Sequence, residues 1–415
     1  MAILFGLIIL LVGPDWPAFG GADYRFQVIV GREHRFDFVS WTTGALARKA
    51  QAILAGTQRY LPDDEQREFA LAYLERVSAK LRLEAAIERA YTDPAVTDPE
   101  AYTAELREER DAALREIAWR QPLAEAIVQA QVATILTEEG LAVAGVTWPP
   151  VMMTMSPVPY MLIVSPRDRI AQVNAAALVP GLSTEDKEAM EDGVLNQMDQ
   201  SALVVPIGGL GTYPAMIRET GNIGRLAEVT AHEWAHHWLS FQPLGVRYLT
   251  SPAMRTINET VASIVGYEIE PLVIERFYPE LMPKETPVTP VPSEPPVAPV
   301  FDFNAEMAET RSEVDRLLAE GRVDDAEAYM EQRRRFFVEN GYGIRKLNQA
   351  YFAFYGGYAA EPGAAGGDPV GPMLLDLRDA SPSLAAFLRD VGRVTSFDDL
   401  VALYRLRVGT EPILQ

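Results

Sequence analysis

Three of the four histidines in this 415-residue chain fall within six positions, His232-Glu233-Trp234-Ala235-His236-His237. That spacing makes chemical sense in one conformation. On an α-helix, residues four apart share a face, so His232 and His236 can hold a single metal ion between them. Glu233 sits about 100° further round the helix, where it reaches a water on that ion without ligating it. The flanks fit a helix inside a domain, because Leu226, Val229, Trp234, Trp238 and Leu239 put apolar side chains on most of its sides. The competing reading is a surface helix with incidental histidines. The apolar flanks and the scarcity of histidine elsewhere weigh against it.

Two histidines leave a catalytic zinc one short of its usual three protein ligands. The next helical pattern begins at Ser251, which reads as an N-cap, with Pro252 at the first helical position. Glu259 falls mid-helix among Ile257, Val261, Ala262, Ile264 and Val265. A buried carboxylate in that company calls for a cation. The stretch Asn258-Glu259-Thr260-Val261-Ala262 lies 23 residues beyond His236. Together the two stretches resemble the gluzincins, zinc peptidases in which a His-Glu-x-x-His helix is followed by a helix bearing Asn-Glu-x-x-Ala. The resemblance implies that His232, His236 and Glu259 ligate Zn²⁺ and that Glu233 is the catalytic base acting on a zinc-activated water. It also suggests Asn258 as a substrate-binding residue, with packing between helices as an equal alternative. It covers these two helices and little else. Some gluzincins carry an aspartate one turn after the ligand glutamate; Ser263 stands there, so the first histidine must be oriented from elsewhere. His237 points away from the ligand face and reads as a packed or solvated residue. Glu228, one turn before His232, is either a partner for that ring or a plain helix-face glutamate.

Peptidases of this kind run an edge strand beside the metal helix, where an extended substrate adds as a further strand. Ser201–Ile207 reads as a strand, and the glycine-punctuated chain from Gly208 to Ile217 continues it, with Pro206 and Pro214 suited to an edge. Gly209 and Gly211 are the candidate substrate-binding backbone positions; an ordinary core sheet is the alternative. A second strand is expected from Val158 to Val164. Nearer the C-terminus, Asn348-Gln349-Ala350-Tyr351-Phe352-Ala353-Phe354-Tyr355-Gly356-Gly357-Tyr358 follows an arginine-rich helical stretch, 326–337. It resembles the Asn-rich, tyrosine-containing segment of predicted bacterial aminopeptidases within the gluzincins. That resemblance implies Tyr355 or Tyr358, with Tyr351 behind them, as the hydroxyl stabilising an oxyanion. A packed aromatic helix face accounts for the same residues.

The organisation expected is an apolar signal- or anchor-like segment over 1–20, a helical region over 21–150 and a zincin-like catalytic domain over 151–283. A proline-rich linker or loop follows over 284–303, then a helical region over 304–415 that completes the cleft. Asp-Pro pairs at 93–94 and 98–99 divide two helices of the N-terminal region. The apolar run 3–13 is short for a membrane span and no lysine or arginine precedes it. It points to an extracytoplasmic protein, membrane-anchored or secreted, with a buried element as the alternative. A net charge of −21 argues against nucleic acid as a partner. The absence of cysteine excludes disulfides and thiolate-ligated metal. No phosphate loop, dinucleotide fingerprint or serine nucleophile elbow is present.

The fold class expected is α+β, mainly helical, with a small zincin-like sheet on the metal helix and a helical C-terminal lobe. The function expected is zinc-dependent hydrolysis of peptides or proteins, with amino- and endopeptidase action both open. The alternatives are a membrane-tethered binding or assembly protein with a structural or vestigial zinc site, and hydrolysis of a non-peptide amide.

Overall fold

The computed structural model describes residues 24–55, 57–92, 96–282, 301–356 and 369–409. The apolar run 3–13, the proline-rich stretch over 283–300, Tyr358 and the glycine-rich stretch 363–368 lie outside the described residues.

The fold is α+β and mostly helical. It opens with α1 (Tyr24–Val30), α2 (Phe38–Ala55), α3 (Asp63–Thr92), the single turn α4 (Pro99–Tyr102) and α5 (Ala104–Glu138). The Asp-Pro pair at 98–99 starts a helical turn, while Asp93 and Pro94 lie outside the described residues. The helix α3 ends at Thr92, and Asp98 caps the next turn by accepting the Ala101 N–H, with Pro99 at its first position. A hairpin follows, β1 (Ala142–Val143) with β2 (Val146–Thr147). Then come β3 (Met153–Ser156), β4 (Tyr160–Pro166), β5 (Asn174–Leu178), α6 (Thr184–Met198), β6 (Gln200–Pro206), β7 (Gly209–Leu210) and β8 (Ala215–Arg218). The remaining helices are α7 (Ile223–Leu239), α8 (Pro243–Val246), α9 (Pro252–Phe277), α10 (Phe303–Ala319), α11 (Val323–Glu339), α12 (Gln349–Tyr355), α13 (Val370–Asp379), α14 (Leu384–Val391) and α15 (Phe397–Val408).

The strands form two separate three-stranded sheets. In the first, antiparallel β4 is central, between β5 and β6. Strand periodicity explains its burial on both faces. Leu162, Val164, Ala202 and Val204 pack toward α1 and α6, while Met161, Ile163, Leu203 and Val205 pack toward Ala350 of α12. The outer edge of β6 is occupied as well. Glu191 of α6 accepts the Val204 N–H, and Asn348 donates to the Ala202 carbonyl. The strand at Ser201–Ile207 therefore forms as expected, but its edge is closed. In the second sheet β8 lies between parallel β3 and antiparallel β7, so β7 is an edge strand of two residues.

One large hydrophobic core joins α3, α5, β3, β8, α7, α9 and α13 to α15. Its members come from 70–141, 151–278 and 370–404, so the three stretches share an interior. Helices α10 and α11 pair around Met307, Val314, Met330 and Phe337, and pass this packing to Phe352 of α12. Among the described residues no helix is long and apolar enough to cross a membrane.

Candidate metal centre

Two capped helices build the centre. The Asn222 side chain accepts the Arg225 N–H and starts α7; the Ser251 hydroxyl accepts the Met254 N–H, with Pro252 at the first position of α9. The helices run in opposite directions: Asn258 meets His236, Gly266 lies on His232, and Glu270 lies beside Gly224. Gly266 permits the close approach. A Cβ there would come within 3.0 Å of the Glu228 carbonyl oxygen and 3.4 Å of His232 Cβ. Trp234 anchors the opposite side of α7, buried with its indole N–H on the Pro149 carbonyl at 2.8 Å.

This packing gathers His232, His236 and Glu259 into one cluster, the set of His, Asp and Glu donors able to hold a metal ion among the described residues. His232 Nε2 and His236 Nε2 are 3.1 Å apart, and Glu259 Oε2 is 3.7 and 3.5 Å from them. Three donors on a tetrahedral zinc, with bonds of about 2.0–2.2 Å, lie roughly 3.3–3.6 Å from one another. The donor set thus fits zinc in both type and spacing. The surrounding contacts aim it. Nδ1–H of His236 donates to Asn258 Oδ1 at 2.8 Å, which turns the Nε2 lone pair inward. The Tyr248 hydroxyl donates to Glu259 Oε1 at 2.6 Å, leaving Oε2 to face the histidines. Asn258 therefore stands behind His236 and ties α9 to α7. Tyr248 is the site residue that sequence reasoning missed. It lies in the connection between α7 and α9, where no motif or periodicity marks it.

Electrostatics marks the cluster as a place for positive charge. Burial works against protonating His236, but the Glu259 carboxylate and the Asn258 hydrogen bond lift its pKa to about 9. Burial likewise opposes ionisation of Glu259, yet the two histidines hold it well below the usual carboxylate range. Glu233 is only 4% exposed. Burial pushes its pKa up, the histidines pull it down, and Glu259 adds to the rise. Its Oε2 is buried without a hydrogen-bond partner among the described residues. Such an orphaned oxygen is unusual, and it belongs to the residue to which the gluzincin resemblance gives the role of base.

The short edge strand β7 lies directly on this group. A Cβ at Gly209 would overlap Glu233 Oε1 and come within 3.1 Å of Val229 Cγ1. One at Gly211 would stand 3.5 Å from His236 Cβ and 3.6 Å from Glu233 Oε2. Both glycines thus allow the backbone to rest on the catalytic candidates. His237 is buried and points away from the ligands, with Nε2–H donating to the Thr212 carbonyl at 2.6 Å. Burial lowers its pKa to about 4 against the pull of the nearby carbonyls. Glu228 is paired with Arg225 at 2.5 Å.

Helix α12 lies close by. Leu210 of β7 packs in one cluster with Phe354 and Tyr355, and Arg255 of α9 donates to the Ala353 carbonyl at 3.3 Å. The Tyr355 ring meets Tyr351 at 4.5 Å and Phe354 at 5.0 Å. The Tyr248 hydroxyl touches the cluster through Glu259. Comparisons with family models, with curated proteins and with solved structures find no match for this chain.

Proposed function

We propose that this protein is a zinc-dependent peptidase of gluzincin type, with a zincin-like arrangement of edge strand and metal helix. The observation that carries the reading is Glu233, a buried carboxylate with an unpartnered oxygen, beside three donors spaced for zinc. A structural site would have no use for a base there. Zinc held by His232, His236 and Glu259 would supply Lewis-acid polarisation of a carbonyl and make water acidic enough to attack near neutral pH.

The chain's own groups do the rest. Glu233 Oε2 takes one proton from the water as its oxygen adds to the peptide carbonyl carbon. The same carboxyl delivers that proton to the nitrogen as the C–N bond breaks, giving an acid and an amine. The upward pull of burial on Glu233 suits a base that must also act as an acid. The outer edge of β7, unpaired with any strand among the described residues and half-buried at Gly209 and the neighbouring Gly211, offers a surface on which an extended peptide pairs. Tyr248, close to the cluster, joins Tyr355 and Tyr358 as a candidate for stabilising negative charge on the carbonyl oxygen. An N-terminal tether outside the cytoplasm remains part of the proposal through the apolar run 3–13.

The test is hydrolysis of a peptide library by zinc-loaded wild type and Glu233→Gln. Loss of about 10²–10⁴-fold in rate with zinc retained is the outcome proposed, and the cleavage positions separate amino- from endopeptidase action. Equal rates in the two proteins would remove the catalytic reading and favour a binding protein.

A further inference from the structure

The third histidine of the run is not a ligand and takes no part in the proton transfer above. It is nevertheless among the most buried polar residues of α7, at 1% exposure. Its ring stands edge-on to Tyr213, with centroids 5.1 Å apart. Nε2–H is spent on the Thr212 carbonyl at 2.6 Å, while Nδ1 is buried with no hydrogen-bond partner among the described residues. Packing alone does not account for an imidazole here. A leucine or phenylalanine would fill similar space without burying an unpaired acceptor. What an apolar side chain lacks is the N–H.

That N–H lands where the edge strand needs it. β7 has two residues and, among the described residues, pairs along one side only, Gly209 with Ile217 and Leu210 with Met216. A strand so short and so sparsely paired frays readily. Past Leu210 the chain bonds to itself, with Thr212 N–H on the Leu210 carbonyl and the Thr212 hydroxyl on the Pro214 carbonyl, both at 2.8 Å. The Tyr213 hydroxyl reaches the Pro150 carbonyl at 3.2 Å. The bond from His237 fastens this turn to the metal helix itself, one residue beyond Gly211.

We infer that His237 is a positioning residue that latches β7 onto α7, so that the backbone at Gly209 and Gly211 is already in place over Glu233 and His236 when a peptide arrives. An edge ordered in advance spares the substrate the entropy of ordering it, so the latch acts on binding more than on chemistry. The functional half of this inference rests on the peptidase reading; the structural half does not.

Amide hydrogen exchange over residues 208–213 tests it, in zinc-loaded wild type, His237→Phe and His237→Gln. Phenylalanine keeps a ring and removes the donor, and glutamine restores an N–H. The expected result is exchange about 10-fold faster or more over 208–213 in His237→Phe, with the α7 amides still protected and the change largely reversed in His237→Gln. Peptide hydrolysis by His237→Phe should show a raised KM with kcat little altered and one zinc retained. Unchanged exchange over 208–213, or equal loosening of all of α7, would overturn the latch. If wild type cleaves no peptide, the peptidase reading falls while the exchange result still judges His237.

Discussion

The two sheet edges contributed by residues 200–210 end in opposite states. β6 has an outer edge that distant side chains have closed. Glu191 takes the Val204 N–H, Asn348 donates to the Ala202 carbonyl, and Arg345 and Lys346 lock Glu191 in place. The outer edge of the two-residue β7 pairs with no strand among the described residues, and Gly209 with the neighbouring Gly211 lets the backbone rest on Glu233 and His236. Both stretches carry strand-like sequence beside a proline. What separates them is the company each keeps in the fold. An edge that must not pair is satisfied by side chains, and one proposed to pair with substrate is left without a strand partner and carries a glycine.

Opening the closed edge is the harshest way to challenge this contrast. The Glu191 side chain is fully buried, and its pKa is held low by Arg345, Lys346 and the Val204 N–H even though burial pushes it up. Glu191→Ala removes the acceptor of the Val204 N–H and the carboxylate of Arg345, and leaves Lys346 only Asp192 at 3.9 Å. Breaking a buried pair costs about 3–5 kcal/mol. The low end applies here, because Arg345 and Lys346 keep 30% and 32% of their side chains in water. Denaturant unfolding should show that loss, while hydrolysis per folded, zinc-loaded molecule stays at the wild-type level. A fall in activity without a fall in stability would dissolve the distinction between the edges.

Crowding the open edge should do the reverse. In Gly209→Ala the new Cβ meets the Glu233 carboxylate, which must turn from its position. A misplacement of that order lowers kcat/KM by about 10², with unfolding free energy nearly unchanged. Activity equal to wild type would mean that β7 does not bear on the base.

A smaller effect is expected behind Glu259. Tyr248→Phe removes the hydroxyl that holds Glu259 Oε1, so competition with a chelator should show zinc affinity lowered about 10-fold, at the mild end for a group that orients a ligand. The smallest signal is a proton. In the metal-free protein His236 has a pKa lifted to about 9, above its ordinary 6.5. Its pairing with Glu259 thus contributes stability that is fully present below pH 6.5 and is lost as pH rises through 9. Zinc needs the nitrogen that carries this proton, so calorimetry in buffers of different ionisation enthalpy should find about one proton released per zinc at pH 7. No release would place the metal elsewhere.

Local chemistry made much of this legible in the sequence. The caps at Ser251 and Pro252, the helix start at Asp98-Pro99 and the strands near 160 and 200 follow from backbone preferences that act over a few residues. So does the shared face of His232 and His236. The arrival of Glu259 beside them was readable because a mid-helix carboxylate among Ile257, Val261 and Ile264 has few acceptable surroundings. Tyr248 was not readable, since its role depends on how an irregular connection passes between α7 and α9. The closed edge of β6 depends on Glu191 and Asn348, which meet it only in the folded chain. His237 read as a packed or solvated residue. It is packed, but the carbonyl it holds lies 25 positions back in the chain, beyond the reach of any periodicity.

The most direct measurement is zinc per chain by elemental analysis of wild type and Glu259→Ala, with helical content checked on the same samples. The account predicts one zinc in the wild type and close to none in a folded Glu259→Ala. A folded Glu259→Ala that keeps its full zinc would contradict the three-ligand centre on which the proposed chemistry stands.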